Sequence, residues 1–178
     1  MKNNCQELLL SSLNNFYDKN HRFKILFKNI IHGNHKLSLR LIDWLITHYS
    51  KNKNIYYWID INDDNNIYYK LPIIDNIYIK KINIYNDYRA QLKSYSKLNF
   101  DTFRRHERIS FYIHNDEFIE TTVGQLNFFR WVFNNNIINY VLENYDIIYN
   151  NMINNNKNCI KKNIFQEIIK TNSILRFD

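Results

Sequence analysis

At 178 residues the chain is sized for one domain that buries roughly two thirds of the surface its unfolded form exposes. Hydrophobic residues make up 45% and aromatics 16%, enough for a packed core, while only two glycines and one proline argue against a turn-rich all-β sandwich. The formal net charge of +7 permits attraction to nucleic acid or anionic surfaces. No window approaches the roughly 18 consecutive apolar residues of a membrane span.

The first 50 residues read as helices. Leu9, Leu13, Phe16 and Tyr17 follow helical spacing, as do Phe23, Phe27, Ile30 and Ile31. Gly33 ends the second helix, because it takes φ > 0 without steric cost. A third helix carries Leu41, Ile42, Leu45, Ile46 and Tyr49 on one face, with Ser38 as its N-cap. The strings IYYWIDI (55–61) and IYYKL (67–71) are aromatic and β-branched, and Asn62 to Asn65 between them predict a hairpin turn. Pro72 stops the second strand. A further strand is predicted over 77–84 and a helix over 86–98.

A second hairpin pairs 108–114 with 118–122 about Asn115 and Asp116. Thr122 and Gln125 form the T-x-x-Q capping box of a helix running to Phe133, and 137–152 forms a last helix. The predicted class is α+β, with N-terminal helices, a small antiparallel sheet of hairpins and C-terminal helices. An N-terminal helical segment (1–36) packs on or leads into an α+β core domain (37–149). An Asn-rich loop or linker (150–163) follows, then a C-terminal segment (164–178) with a terminal strand over 174–177.

Much of the chain is Asn, Ile, Lys, Tyr and Phe, whose codons are written almost wholly in A and T. Tyr85 to Trp131 departs from that background with Ala90, Gly124, Trp131 and an arginine cluster. Gly, Ala and Trp need G or C, so such a segment answers a structural or functional demand. On the helix 86–98, Arg89, Lys93 and Lys97 recur at i, i+4 and i+8, about 6 Å apart and comparable to phosphates along a nucleic-acid backbone. Arg104, Arg105 and Arg108 follow, with Phe100 and Phe103 interleaved. Arginine forks hold phosphates, and aromatic rings stack on unpaired bases. The plainer alternative is a solvated basic face with its rings in the core.

The helix over 122–133 is apolar nearly all round. It is either central in the core or half buried, with Phe128, Phe129 and Trp131 turned to a protein partner. Metal and catalytic readings have less behind them. His32 and His35 find no paired cysteines, since Cys5 and Cys159 are isolated. Asp60, Asn62 and Asp64 mimic the opening of a calcium loop, but Asn65 and Leu71 stand where the glycine and glutamate belong. Asp43, His106 and Glu120 are the remaining set from which a dispersed active site would be built. No catalytic residue, metal or cofactor is assigned. The isolated cysteines fit a reduced, intracellular chain without a secretory signal.

The strings SLRLIDWLITHYSK (38–51), YRAQLKSYSKLNFDTFRRHERISF (88–111) and TTVGQLNFFRWVFNNNIINYV (121–141) resemble a group of small basic, uncharacterised proteins of giant nucleocytoplasmic DNA viruses. The family pattern often has Pro and Cys where this chain has Thr102 and Arg104, and Arg where it has His106. The resemblance covers most of 38–141 and implies a mimivirus-like source, in host cytoplasm, viral factory or virion, without implying an activity. Together these readings give a non-enzymatic viral protein with no membrane partner. It is expected to bind DNA or RNA through Arg89, Lys93, Lys97, Arg104, Arg105 and Arg108, with weak sequence specificity. The alternative is an adaptor or virion structural component that docks a viral or host protein through Phe128, Phe129 and Trp131.

Overall fold

The computed structural model describes residues 2–61, 63–73, 78–104, 107–114 and 117–157. The chain divides into two compact units, 1–143 and 144–178. In the first, α1 (Lys2–Lys19) and α2 (His21–Ile31) are followed by α3 (Leu39–Trp44), which continues through a π-helical segment (Leu45–Tyr49) into α4 (Ser50–Lys53). Strands β1 (Tyr56–Asp60), β2 (Asp63–Tyr68) and β3 (Ile79–Asn83) make an antiparallel sheet in the order β2-β1-β3. Helix α5 (Ile84–Tyr95) and a 3₁₀ turn (Lys97–Asn99) lead to a two-stranded sheet of β4 (Ile109–His114) and β5 (Glu117–Thr121). Helices α6 (Val123–Asn134) and α7 (Ile137–Glu143) complete the unit. The architecture is α+β, as the alternation of helical and period-2 patterns indicates.

The helix ends follow their local chemistry. Gly33 has φ +74 and donates to Ile30 O, while Asn34 donates to Asn29 O, so α2 closes on the paired bonds that a left-handed residue permits. Ser38 Oγ accepts from the Leu41 amide at 3.1 Å. Thr122 Oγ1 accepts from the Gln125 amide at 3.1 Å, but the Gln125 side chain does not return the bond. Its Oε1 accepts from Thr121 Oγ1 and its Nε2 donates to Thr102 O, tying α6 to the segment before β4.

Helix α6 is the centre of the first unit. Phe128 and Phe129 are fully buried and Trp131 is 7% exposed. Its rings project to two sides. Phe128 and Trp131 meet Phe100 at 5.8 and 5.9 Å and also pack near Tyr88, whereas Phe129 meets Phe27 at 5.0 Å and Phe133 stacks on Phe23 at 4.6 Å. Tyr17 OH donates to Leu126 O at 2.9 Å and Tyr57 OH to Asn135 O at 2.6 Å, so α1 and β1 are each pinned to the α6 region by a buried phenol. Of the two places open to this helix, it takes the core. The expected docking face of Phe128, Phe129 and Trp131 is therefore interior packing, because rings on both flanks already cover it.

Several boundaries differ from expectation. Strand β2 begins at Asp63, so part of the Asn/Asp run expected as turn is paired strand, with a register shift between Ile59 and Asp60. Helix α5 starts directly at Ile84, where Asn83 Oδ1 accepts from the Asn86 amide and Asp87 Oδ2 accepts from the Asn83 amide. It stops at Tyr95 because Ser96 has φ +65 and ψ 161, which no α-helix contains. The expected helix over 137–152 is interrupted at Asn144. In the second unit a helix runs over 145–157, so the Asn-rich run is helical as far as it is described. The expected terminal strand over 174–177 lies outside the described residues.

Gly124 explains why α6 lies so close to the 98–101 segment. A Cβ there would stand 3.1 Å from Asp101 O and 3.3 Å from Leu98 O, both backbone atoms that cannot swing aside. Alanine gains about 1 kcal/mol of helix propensity, against an overpacking cost of about 1–3 kcal/mol. Gly124→Ala is expected to lower the urea midpoint modestly at unchanged slope, and Gly124→Val to lower it several times further. The same segment places Thr102 Oγ1 3.5 Å from Asp43 Oδ1. Burial and then the like charge of Asp101 push the Asp43 carboxyl up to about 6, opposed by His48 and the Thr102 hydrogen bond. The folded state thus prefers protonated Asp43, and that contribution is full below about pH 4 and lost as pH rises through about 6. Asp43→Asn is expected to melt above the parent at pH 7.5, with the gap closing at pH 4. A variant less stable at pH 7.5 would mean the carboxylate has a favourable partner instead.

Candidate interaction surface

The predicted basic stripe does not survive as one feature. Arg89 and Lys93 are exposed on α5, but Lys97 lies beyond Ser96 in the 3₁₀ turn and leaves the helical register. Arg104 is exposed, and Arg105 and His106 lie outside the described residues. Arg108, just before β4, faces the Glu120 carboxylate of β5 at 3.7 Å. That pair is exposed at both ends and contributes little to stability, yet it offsets a charge the stripe needed. Of the dispersed set, Glu120 is engaged with Arg108 and Asp43 with Thr102.

The surface feature that sequence reading passed over lies on the three-stranded sheet. Strand β1 alternates strictly: Tyr57 and Ile59 face inward and are buried, so Tyr56 and Trp58 must face outward. Tyr56 is 45% exposed and Trp58 is half-buried, with their rings 5.5 Å apart and nearly perpendicular. On β3, Lys81 stands opposite Trp58, and its ammonium lies 4.8 Å from the Tyr56 ring centroid and 5.5 Å from that of Trp58. On the other side of β1, Tyr68 stands opposite Trp58. Past β1 the Ile61 amide donates to Tyr78 O at 2.9 Å, and by the same alternation Ile61 falls on the face of Tyr57 and Ile59 rather than with Tyr56 and Trp58. The result is an aromatic outer face with a lysine at its middle. The signal was present in IYYWIDI, since an alternating strand that buries Tyr57 and Ile59 has to expose its other two rings.

A second exposed ring pair occurs on the smaller sheet, where Tyr112 and Phe118 are cross-strand partners with centroids 5.7 Å apart. Near it, Lys28 of α2 pairs with Glu117, and the His21 and His114 rings lie 5.1 Å apart. The Lys28 hydrogen bond, with weaker help from Lys28, His114 and His32 charges, holds the Glu117 carboxyl below its ordinary value. No group of three or more His, Cys, Asp or Glu side chains is placed to hold a metal ion among the described residues. No helix among them is long and apolar enough to cross a membrane.

A profile described as a family of unknown function (DUF7197) matches residues 1–176. Uncharacterized protein L507 of Acanthamoeba polyphaga mimivirus is 32% identical over 161 residues, which cover 87% of this chain and 55% of that protein. The chain thus spans about half the length of that relative. No solved structure matches it. With nearly every residue inside the profile and a mimivirus protein as relative, the chain belongs to the family of unknown function DUF7197 and is of giant-virus type.

Proposed function

We propose that the chain is a non-enzymatic interaction protein, an adaptor or virion structural component, that docks a protein partner through the outer face of the β2-β1-β3 sheet. One observation carries this reading: Tyr56 and Trp58 stand outward around Lys81 instead of joining the core that their neighbours build. Aromatic residues supply large contact area with few rotatable bonds, and interfaces are enriched in them. A lysine over exposed rings gains only about 0.5–1 kcal/mol, so it is readily drawn to a stronger anion. The partner that fits is therefore an acidic protein that offers an apolar patch with a carboxylate for Lys81. A second copy of this chain fits poorly, because two bodies of net charge +7 repel.

Nucleic-acid binding through Arg89, Lys93 and Arg104 is the second reading. All three are exposed and none has an ion-pair partner among the described residues. Viral factory, host cytoplasm and virion are the proposed locations for either reading.

A photo-crosslinking residue at position 56 or 89 separates the two in infected cells. Position 56 is expected to give one dominant adduct with an acidic viral or host protein, lost on Lys81→Glu and kept on Arg89→Glu. Nucleic-acid adducts from position 89 that disappear with Lys93→Glu would overturn the sheet-face reading. So would a position-56 adduct indifferent to Lys81.

A further inference from the structure

Away from the sheet's outer face, α1, α5 and α6 converge with β3 on a cleft of about 650 Å³. Among the described residues its lining includes three cations, Lys19, Lys80 and Arg130, and no Asp or Glu. Arg130 is half-buried and held at three points, donating to Ser12 Oγ at 3.0 Å, Tyr95 OH at 3.3 Å and Asn127 Oδ1 at 2.8 Å. All three acceptors are neutral, so the guanidinium is fixed in place while it meets no carboxylate among the described residues. Three of its five N–H groups are used, leaving two to donate. Lys80 Nζ is likewise steered by a neutral group, Asn135 Oδ1 at 2.8 Å.

Other cleft side chains are uncommitted. Asn15, Lys19, Gln91 and Asn134 have no side-chain partner among the described residues. A site that gathers positive charge, omits carboxylates and fixes its arginine through neutral acceptors is built for an anion. Three cations exceed what a single carboxylate uses and suit the several charged oxygens of a phosphate chain. The amides can each donate and accept, which suits the mixed edges of a sugar or base. The volume lies within the range of small-ligand sites, roughly 300–1,000 Å³.

We propose that this cleft binds a phosphate-bearing small molecule of nucleotide size. Arg130, Lys19 and Lys80 hold the phosphate oxygens, and Asn15, Gln91 and Asn134 meet the remainder. The competing explanation is that Arg130 only braces α6 to α1 and α5. The two differ at Lys19, which is exposed and braces nothing, and in the effect of charge retention at position 130.

The test is titration calorimetry of the full chain with pyrophosphate, a nucleoside diphosphate and the unphosphorylated nucleoside, each at two salt concentrations. Pyrophosphate and the diphosphate are expected to bind, and more weakly at high salt. The nucleoside alone should bind at least tenfold more weakly than its diphosphate. Lys19→Gln, expected to keep the parent's melting temperature, should weaken the diphosphate about fivefold or more. Arg130→Gln should weaken it further, and Arg130→Lys should recover part of the loss. No binding of either phosphate compound would overturn the proposal. So would binding equal in the parent and Lys19→Gln, or a nucleoside that binds as tightly as its diphosphate. Because none of these variants touches Tyr56, Trp58 or Lys81, either result leaves the sheet-face reading to stand or fall separately.

Discussion

The backbone of α6 lies close against the backbone of residues 98–101, and it does so where the helix has no side chain. Gly124 lets the first turn of α6 rest against the carbonyls of Leu98 and Asp101. With that approach, Phe128 and Trp131 reach Phe100 and Tyr88 on one flank, while Phe129 and Phe133 reach Phe27 and Phe23 on the other. Move the helix outward by the width of a methyl group and the Phe100 and Tyr88 flank loses packing, since dispersion contacts decay within an ångström, while Phe129 and Phe133 are pressed into Phe27 and Phe23. The Asn127 side chain reinforces the same junction, donating to Asn99 O at 3.0 Å while its Oδ1 receives Arg130. One residue with no side chain thus sets both how α6 is buried and where its single arginine is held.

The same junction decides which charges belong together. Ser96 departs from the helix so that Phe100 can turn inward, and Tyr95 stacks on Phe100 at 6.0 Å just before the break. A serine with φ near +65 and ψ near 160 is strained, and such strain persists only where surrounding packing over-determines it. Buried Phe100 supplies that packing. The consequence is that Lys97 leaves the line of Arg89 and Lys93. A stripe of cations requires an unbroken helix, and the core needs the helix broken.

What the sequence disclosed and withheld follows from the range of the forces involved. Caps at Ser38 and Thr122, the Gly33 stop and the period-2 strands depend on neighbours within about five residues, so they were legible. The special demand on Tyr85–Trp131 was legible too, through Gly124 and Trp131 standing out of an A/T-coded background. Its meaning was not, because only the tertiary approach of residues 98–101 shows that Gly124 is a contact and that α6 is central. The ring that looked fit for docking, Trp131, is packed by Tyr88 and Phe100, which no spacing rule reveals. The outward rings of β1 were legible in principle, since burial of Tyr57 and Ile59 compels exposure of Tyr56 and Trp58. The hairpin pattern alone does not say which of the two faces is buried. The cleft was out of reach, as Lys19, Lys80 and Arg130 are far apart in sequence and meet only through the packing of α1, β3 and α6.

Lys80 and Lys81 show how narrowly these surfaces are specified. They are adjacent, chemically identical and on an edge strand, yet one points into the cleft beside Asn135 and the other lies over Tyr56 and Trp58. The only thing that tells them apart is the register of β3 on β1, Ile82 against Tyr57 and Lys81 against Trp58. A slip of one residue would send Ile82 outward, exchange the lysines and spoil both surfaces. Burial of Ile82 resists that slip from the inside. The Asn83 side chain resists it from the end, since it caps α5 and also donates to Asn54 Oδ1 at 3.1 Å. Because α5 begins at the next residue, the strand cannot slide without unwinding the helix that carries Gln91 and Tyr95 into the cleft. Both surfaces therefore depend on one register, held by a buried isoleucine and a helix cap.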